Sequence, residues 1–153
     1  MKELEALKKD HEELRGMIDL LKSEKPNSEK RFVYARFARL LKSHTAAEEA
    51  AVYQPCLEFR DLKKEVFEGF TEHEIAEMLM AKIPHIRQPE KWRATVEVLA
   101  EMVEHHLEEE ETDLFPELDQ ILSPSEKMRM EVRFLEIRRE TQGAAQATGA
   151  LLQ

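Results

Sequence analysis

Four long stretches of the chain repeat apolar residues at steps of three and four, the spacing of one helix face. The pattern predicts four helices, over residues 2–24, 28–54, 61–83 and 89–114. Pro26, Pro55, Pro84 and Pro89 fall at or between their ends and interrupt the pattern. Because the connections are short, neighbouring helices should run antiparallel. The expected fold class is therefore all-α, an up-down-up-down four-helix bundle.

An additional C-terminal helix is predicted to begin at Ser123. The SPSE run at residues 123–126 supplies a capping Ser, a Pro at the first helical position and a Glu at the third. Its apolar residues, which could dock on the bundle or on another subunit, are Met128, Val132 and Leu135. After Glu140, two glycines and the lack of a stripe predict a frayed tail. We expect a bundle over residues 1–118 and a C-terminal helix and tail, residues 119–153, docked on the same domain.

Each of the four apolar stripes is interrupted near its middle by side chains that can ligate a metal. These residues are His11 in the first helix, His44 and Glu48 in the second, His73 and Glu77 in the third, and His106 and Glu110 in the fourth. Burying an unpaired carboxylate costs several kcal/mol. Four histidines and three glutamates at one level of a core therefore need a compensating charge, which a metal ion supplies.

The two halves of the chain carry the same His…His-x-x-x-Glu pattern. A shift of 62 residues carries the first set onto the second, taking His11, His44 and Glu48 to His73, His106 and Glu110. Residues four apart on a helix point the same way, about 6 Å apart. The repeat therefore predicts two half-sites that face each other across a pseudo-twofold axis, with one ion in each half and Glu48 and Glu110 as bridging ligands.

Three choices among the carboxylates stay open at this stage. Glu49 competes with Glu48, and Glu111 with Glu110, because positions four and five residues after a histidine both approach its face. Membership of the apolar stripe favours Glu48 and Glu110. Glu77 could be a seventh ligand, a partner that orients a histidine, or a residue turned to solvent.

Four segments within residues 7–118 together resemble the hemerythrin-like (HHE cation-binding) family: DHEELRGMIDLL, HTAAEEAAVYQP, GFTEHE and EHHLEEEETDLFPEL. The resemblance implies a non-haem di-iron site in a four-helix bundle. Its implied ligands are His11, His44, Glu48, His73, His106 and Glu110, a four-His, two-Glu set similar to that of iron-centre repair and stress-response members. Oxygen-carrying hemerythrins have a further His one turn after the third ligand. This chain has Glu77 there, a departure from the oxygen carriers.

The resemblance favours two Fe ions as the cofactor, although imidazole and carboxylate ligands also suit Mn or Zn. We expect a protein that binds or reacts with a small diatomic or peroxide ligand (O2, NO or peroxide) in oxidative or nitrosative stress or in iron handling. Whether it is an enzyme stays open. The alternatives are an iron storage, delivery or sensing module without turnover, and a structural bundle whose polar core only specifies pairing.

The net charge and the cysteine content indicate which classes of partner and which cellular compartment to expect. The net charge is −9, and no basic cluster with interleaved aromatic residues occurs, so nucleic acid is not an expected partner. No apolar run approaches the ~20 residues of a membrane span, and the N-terminus lacks a signal-peptide pattern. The single Cys56 forms no internal disulfide. We expect a cytoplasmic protein, with the C-terminal helix as a candidate surface for a homodimer or a protein partner.

Overall fold

The computed structural model describes the backbone of residues 4–151 and the side chains of residues 4–143. The helices in chain order are α1 (Glu5–Leu21), α2 (Asn27–Glu48), α3 (Gln54–Cys56), α4 (Lys63–Lys82), α5 (Pro89–Glu109), α6 (Phe115–Ile121) and α7 (Pro124–Leu151). Short 3₁₀ turns precede and follow α4, at Arg60–Leu62 and Ile83–His85. No strand occurs within residues 4–151. The predicted all-α class, a helical bundle with an additional C-terminal helix, is confirmed.

Two of the long helices change their pitch at their C-terminal ends. α2 continues into a π-helical segment, Glu49–Tyr53, and α5 continues into a second one, Glu110–Leu114. In a π-helical turn, residues five apart share a face, whereas in an α-helix residues four apart do so. The predicted second and fourth helices are therefore continuous, but each has a local change of period beside its glutamate.

The apolar core consists of two clusters. The first includes Phe37 and Trp92 and fills one end of the bundle, where α1, α2, α4 and α5 come together. The second includes Tyr53, Phe115 and Phe134 and fills the other end. α1 packs against α2 and α5, and α4 packs against α5. Each long bundle helix has a buried histidine close to the point where its buried residues change from one cluster to the other, and α2 also contributes the buried Glu48.

α7 lies along α2 and the first π segment. Its N-terminus forms the expected capping box: the Glu126 N–H donates to the Ser123 hydroxyl (3.2 Å), and the Ser123 N–H donates to the Glu126 carboxylate (2.7 Å). Its Glu131 carboxylate accepts hydrogen bonds from the backbone N–H groups of Leu4 and Ala6, which ties the start of α1 to this helix.

The face of α7 that docks on the bundle differs from the one formed by the residues predicted to dock on the bundle or on another subunit. Met130 and Phe134 are buried, whereas the residues expected to dock are exposed: Met128, Val132 and Leu135. Both sets have helical spacing, so the pattern fits either face, and only the packing against α2 selects between them. The helix also continues to Leu151 instead of fraying after Glu140, since alanine and glutamine in this stretch favour helix.

None of the helices in the described part of the chain combines the length and the apolar character that a membrane span requires.

Candidate metal centre

Six side chains meet between the two apolar clusters, and each is at most 5% exposed: His11, His44, Glu48, His73, His106 and Glu110. They form two groups, and in each group the ligand atoms lie within 4.8 Å of one another. His11 and His44 belong to the first group, and His73 and His106 belong to the second. Both glutamates belong to both groups.

Each of the two glutamates presents one oxygen to each group. Glu48 Oε2 lies 3.5 Å from His44 Nε2, while its Oε1 lies 3.2 Å from His73 Nε2. Glu110 Oε2 lies 3.2 Å from His11 Nε2, while its Oε1 lies 2.9 Å from His106 Nε2. This is the arrangement that two bridging carboxylates require.

Several of these buried atoms have no hydrogen-bond partner among the described residues: His11 Nε2, His44 Nε2, both Glu48 oxygens and Glu110 Oε2. The His73 and His106 Nε2 atoms lie only 3.1 Å apart. Buried polar groups are normally satisfied, and each one left without a partner costs free energy. A cation in each group would satisfy nitrogen lone pairs and carboxylate oxygens together. The side chains present therefore fit bound metal ions.

A family model described as the hemerythrin HHE cation binding domain matches residues 2–118. The chain belongs to this family. Its helical bundle and its two groups of histidine and glutamate ligand atoms agree with a metal-binding HHE domain. Neither a curated protein nor a solved structure matches the chain significantly. The matched range ends before α7, so the helix that covers α2 lies outside the HHE family pattern.

In this HHE domain, every histidine of the two groups also bonds to a carboxylate through Nδ1. The partners are Glu111 for His11 (3.2 Å), Asp10 for His44 (3.0 Å), Glu49 for His73 (3.0 Å) and Glu72 for His106 (3.1 Å). An ionised carboxylate only accepts, so each Nδ1 carries the proton and donates it. Nε2 is then left as the electron-pair donor toward the interior, which is the orientation that a metal ligand needs.

These four carboxylates were not assigned to the histidines by the sequence pattern, although the sequence held a signal for them. The 62-residue shift that relates the histidines also takes Asp10 to Glu72 and Glu49 to Glu111. The structure also shows how the adjacent residues Glu48 and Glu49 differ in position. Glu48 lies inside the two groups, and Glu49 lies on the outer side of His73.

The charges of the centre shift the pKa values of its histidines. Burial alone would lower the pKa of His44, but the Glu48 carboxylate and the hydrogen bond to Asp10 outweigh it and raise the pKa to about 9. The pKa values of the other three histidines are also raised against the effect of burial, through their glutamate neighbours. In contrast, histidine neighbours hold the pKa of Glu110 well below its usual value despite burial.

Glu77 lies outside both groups, and its side chain is exposed. The buried positions of α4 after His73 are Ala76 and Met80, so the inward face proceeds by three and then four residues. Glu77, four residues after His73, is rotated off that face. In contrast, Glu48 and Glu110, each four residues after a histidine, are buried.

The two π segments bring an aromatic ring onto each half of the centre. Five residues after Glu48, the ring of Tyr53 stacks on His73 with centroids 5.1 Å apart, and its hydroxyl donates a hydrogen bond to Glu110. Five residues after Glu110, the ring of Phe115 stacks on His11 at 5.6 Å. The change of pitch therefore turns both rings toward the polar layer.

Gly69 makes room for the Tyr53 ring. A Cβ atom at this position would lie 2.5 Å from the hydroxyl oxygen and 2.6 Å from Cζ. The 62-residue shift relates Gly69 to Leu7, a buried residue, and relates Tyr53 to Phe115. A small residue thus accompanies the ring that carries a hydroxyl, and a large residue accompanies the ring that lacks one.

A cavity of about 30 Å³ reaches the centre from the side of α4 and the second π segment. Its inner wall includes Tyr53, Gly69, His106 and Glu110. The volume admits one or two waters or a small molecule of similar size. The second group of ligands therefore lies next to solvent-accessible space.

Proposed function

We propose that this protein holds two iron ions and uses them to bind or react with a small oxidant such as O2, NO or peroxide. The proposed ligands are His11, His44, Glu48, His73, His106 and Glu110, with Glu77 left out because its side chain is exposed. The observation that carries the proposal is the sharing of both glutamates by both groups of ligand atoms. Manganese or zinc would fit the same donors.

The residues around the ligands have defined roles in this proposal. The four Nδ1–carboxylate pairs fix the rings and keep the proton on the outer nitrogen, so that Nε2 faces the metal. Glu48 and Glu110 neutralise positive charge and hold the two positions at a fixed separation. A bound iron pair would supply electrons and open coordination positions.

The cavity beside the second group supports a small ligand. Its volume of about 30 Å³ is of the size that a diatomic molecule or peroxide needs. Tyr53 and His106 are among the residues that line the cavity. Because the Tyr53 hydroxyl donates its one proton to Glu110, it would hold that carboxylate in place beside a molecule that enters from this side.

Iron loading of the purified protein tests this proposal. The metal-free protein is given ferrous iron under argon, and bound metal is measured together with the near-ultraviolet and visible spectrum before and after NO. We expect two irons per chain and a spectrum that changes with NO. Failure of the metal-free protein to bind iron under these conditions would count against an iron centre. Iron that is bound and released to a chelator with no consumption of NO or peroxide would instead favour storage or delivery.

Two neighbouring histidines on α5 provide a matched pair of variants. His106→Ala removes a buried proposed ligand, whereas His105→Ala removes a side chain that is 67% exposed and pairs with Glu109. We expect His106→Ala to lose at least one of the two irons and His105→Ala to retain both. Equal iron content in the two variants would contradict the proposed ligand set.

A further inference from the structure

The carboxylates that orient the histidines differ in charge balance between the two groups. In the first group, Arg15 binds Glu111 with an Nη1–Oε1 distance of 3.1 Å and a second contact through Nη2. Arg138 of α7 binds Asp10 through two contacts, at 2.8 Å and 2.7 Å. Each of these carboxylates therefore has a guanidinium that offsets its negative charge.

The second group has no such guanidinium. Within the described side chains, no Lys or Arg nitrogen lies within 4.0 Å of a carboxylate oxygen of Glu49 or Glu72, whose only ion-pair partners are His73 and His106. One of the two missing guanidinium groups follows from the sequence repeat, because the position equivalent to Arg15 after the 62-residue shift is Glu77. The other is missing because α7 contributes Arg138 to the first group alone.

The cavity adds to the negative charge on the same side. Besides Glu110, its wall contains five acidic residues, namely Glu65, Glu68, Glu72, Glu109 and Asp113. At the outer rim, Glu68 pairs with Lys64 at 3.6 Å and Glu109 contacts His105 at 2.9 Å. Inside, the cavity reaches Glu110, which is 4% exposed and whose Oε2 has no hydrogen-bond partner among the described residues.

We infer that the two metal positions are unequal: the position held by His73 and His106 binds a divalent cation first and more tightly, and the position held by His11 and His44 binds second. This inference rests on the proposed two-metal centre. It adds an order of loading, a path through the acidic cavity and a role for two arginines that lie outside the proposed ligand set.

Electrostatics gives the physical reason. No guanidinium offsets the charge of Glu49 or Glu72, so these carboxylates attract a cation at the second position and make the imidazoles they contact better donors. Arg15 and Arg138 cancel much of the corresponding charge at the first position. Changes in such outer partners typically alter metal affinity about 10- to 100-fold. A difference of about tenfold between the two positions is therefore expected.

Titration of the metal-free protein with Co(II) tests the order. Calorimetry should resolve two binding events whose Kd values differ by about tenfold or more. Crystals of protein given one equivalent of Co(II) should have most of the anomalous signal between His73 and His106. Excess Co(II) should then fill the position between His11 and His44.

An exposed residue allows the charge itself to be changed. Glu77→Arg places a guanidinium at the position equivalent to Arg15, where it can reach Glu49. We expect it to weaken the first binding event about tenfold and to bring the two Kd values together. Glu74→Arg makes the same charge change at another exposed position of α4 and is expected to shift neither Kd by more than about twofold.

The outcomes separate the two ideas. Failure of the full chain to bind Co(II) or iron at all would overturn the proposed function itself. Two cations bound with equal affinity, or with the His11 and His44 position filled first, would overturn only the inferred order. Equal effects of Glu77→Arg and Glu74→Arg would overturn the assignment of that order to the local charges.

Discussion

At the scale of single residues, Gly69 and Tyr53 form a matched pair beside the second group of ligands. The ring of Tyr53 lies against His73 because position 69 has no side chain. Gly16 in α1 offers a contrast, since nothing among the described residues lies within 4 Å of the Cβ that an alanine would add there. One glycine is therefore required by packing, and the other is not.

Substitution of these glycines should have opposite effects on stability. Gly69→Ala should lower the free energy of unfolding by about 1–3 kcal/mol, because the methyl group overlaps the Tyr53 ring. Gly16→Ala should raise it by about 0.5–1 kcal/mol, because alanine favours helix over glycine. Urea unfolding of the metal-free variants measures both. A Gly69→Ala variant as stable as Gly16→Ala would show that Tyr53 does not need the space.

The residues of the candidate site differ in how far the sequence could predict them. His11, His44 and the other stripe histidines follow from helical periodicity, since a polar residue on an apolar face is conspicuous. Glu77 lies on the same nominal face as His73, but small rotations of α4 decide which residues point inward, and periodicity does not define them. Asp10 and Glu72 lie beside the stripes, where charged residues are expected to be solvated, and the pattern of the stripes did not select them; the 62-residue repeat, which relates the two, was the one available signal.

At the scale of the elements, the four long helices and the start of α7 could be predicted, but the π segments could not. A π turn shifts the positions of the following apolar residues by about one residue. The spacing of apolar residues along an ordinary helix varies by as much, so the sequence does not reveal the π turn. The apolar pattern also could not predict which face of α7 is docked, because the buried residues Met130 and Phe134 and the exposed residues Val132 and Leu135 both have helical spacing. Tertiary contacts alone select the face.

Adjacent residues of α7 test that docking. Phe134 is fully buried and packs edge-on against His44 at 5.4 Å, whereas Leu135 is 38% exposed. Phe134→Ala should lower the free energy of unfolding by about 3–5 kcal/mol through the cavity it leaves. Leu135→Ala should lower it by about 1 kcal/mol or less. Chemical denaturation of both variants measures the difference, and equal losses would contradict the observed docking face.

At the scale of the whole molecule, the polar layer divides the core into two apolar clusters. Without a metal, its charge balance depends on protonated histidines next to glutamates. The pKa of His44 is raised from 6.5 to about 9 in the folded protein by Glu48 and Asp10, which outweigh burial. A group whose folded pKa is raised stabilises the protein below its unfolded pKa, and this stabilisation is lost as pH rises through the folded value.

The metal-free protein should therefore lose stability, by up to about 3 kcal/mol, between about pH 6.5 and about pH 9. Metal-loaded protein should behave oppositely over that range, because ligand nitrogens must be deprotonated to bind. Urea unfolding at several pH values, with a chelator or with excess Co(II), measures both trends. A metal-free protein whose stability rises with pH over this interval would contradict the charge balance described above.

The arrangement of α7 has a consequence for biosynthesis. The contacts that surround His73 and His106 come from residues 48–110, which leave the ribosome well before Phe134 and Arg138. The surroundings of His44, in contrast, remain incomplete until α7 has been translated and has folded back onto α2. A nascent or C-terminally cleaved chain would thus possess one finished half-site and one unfinished half-site.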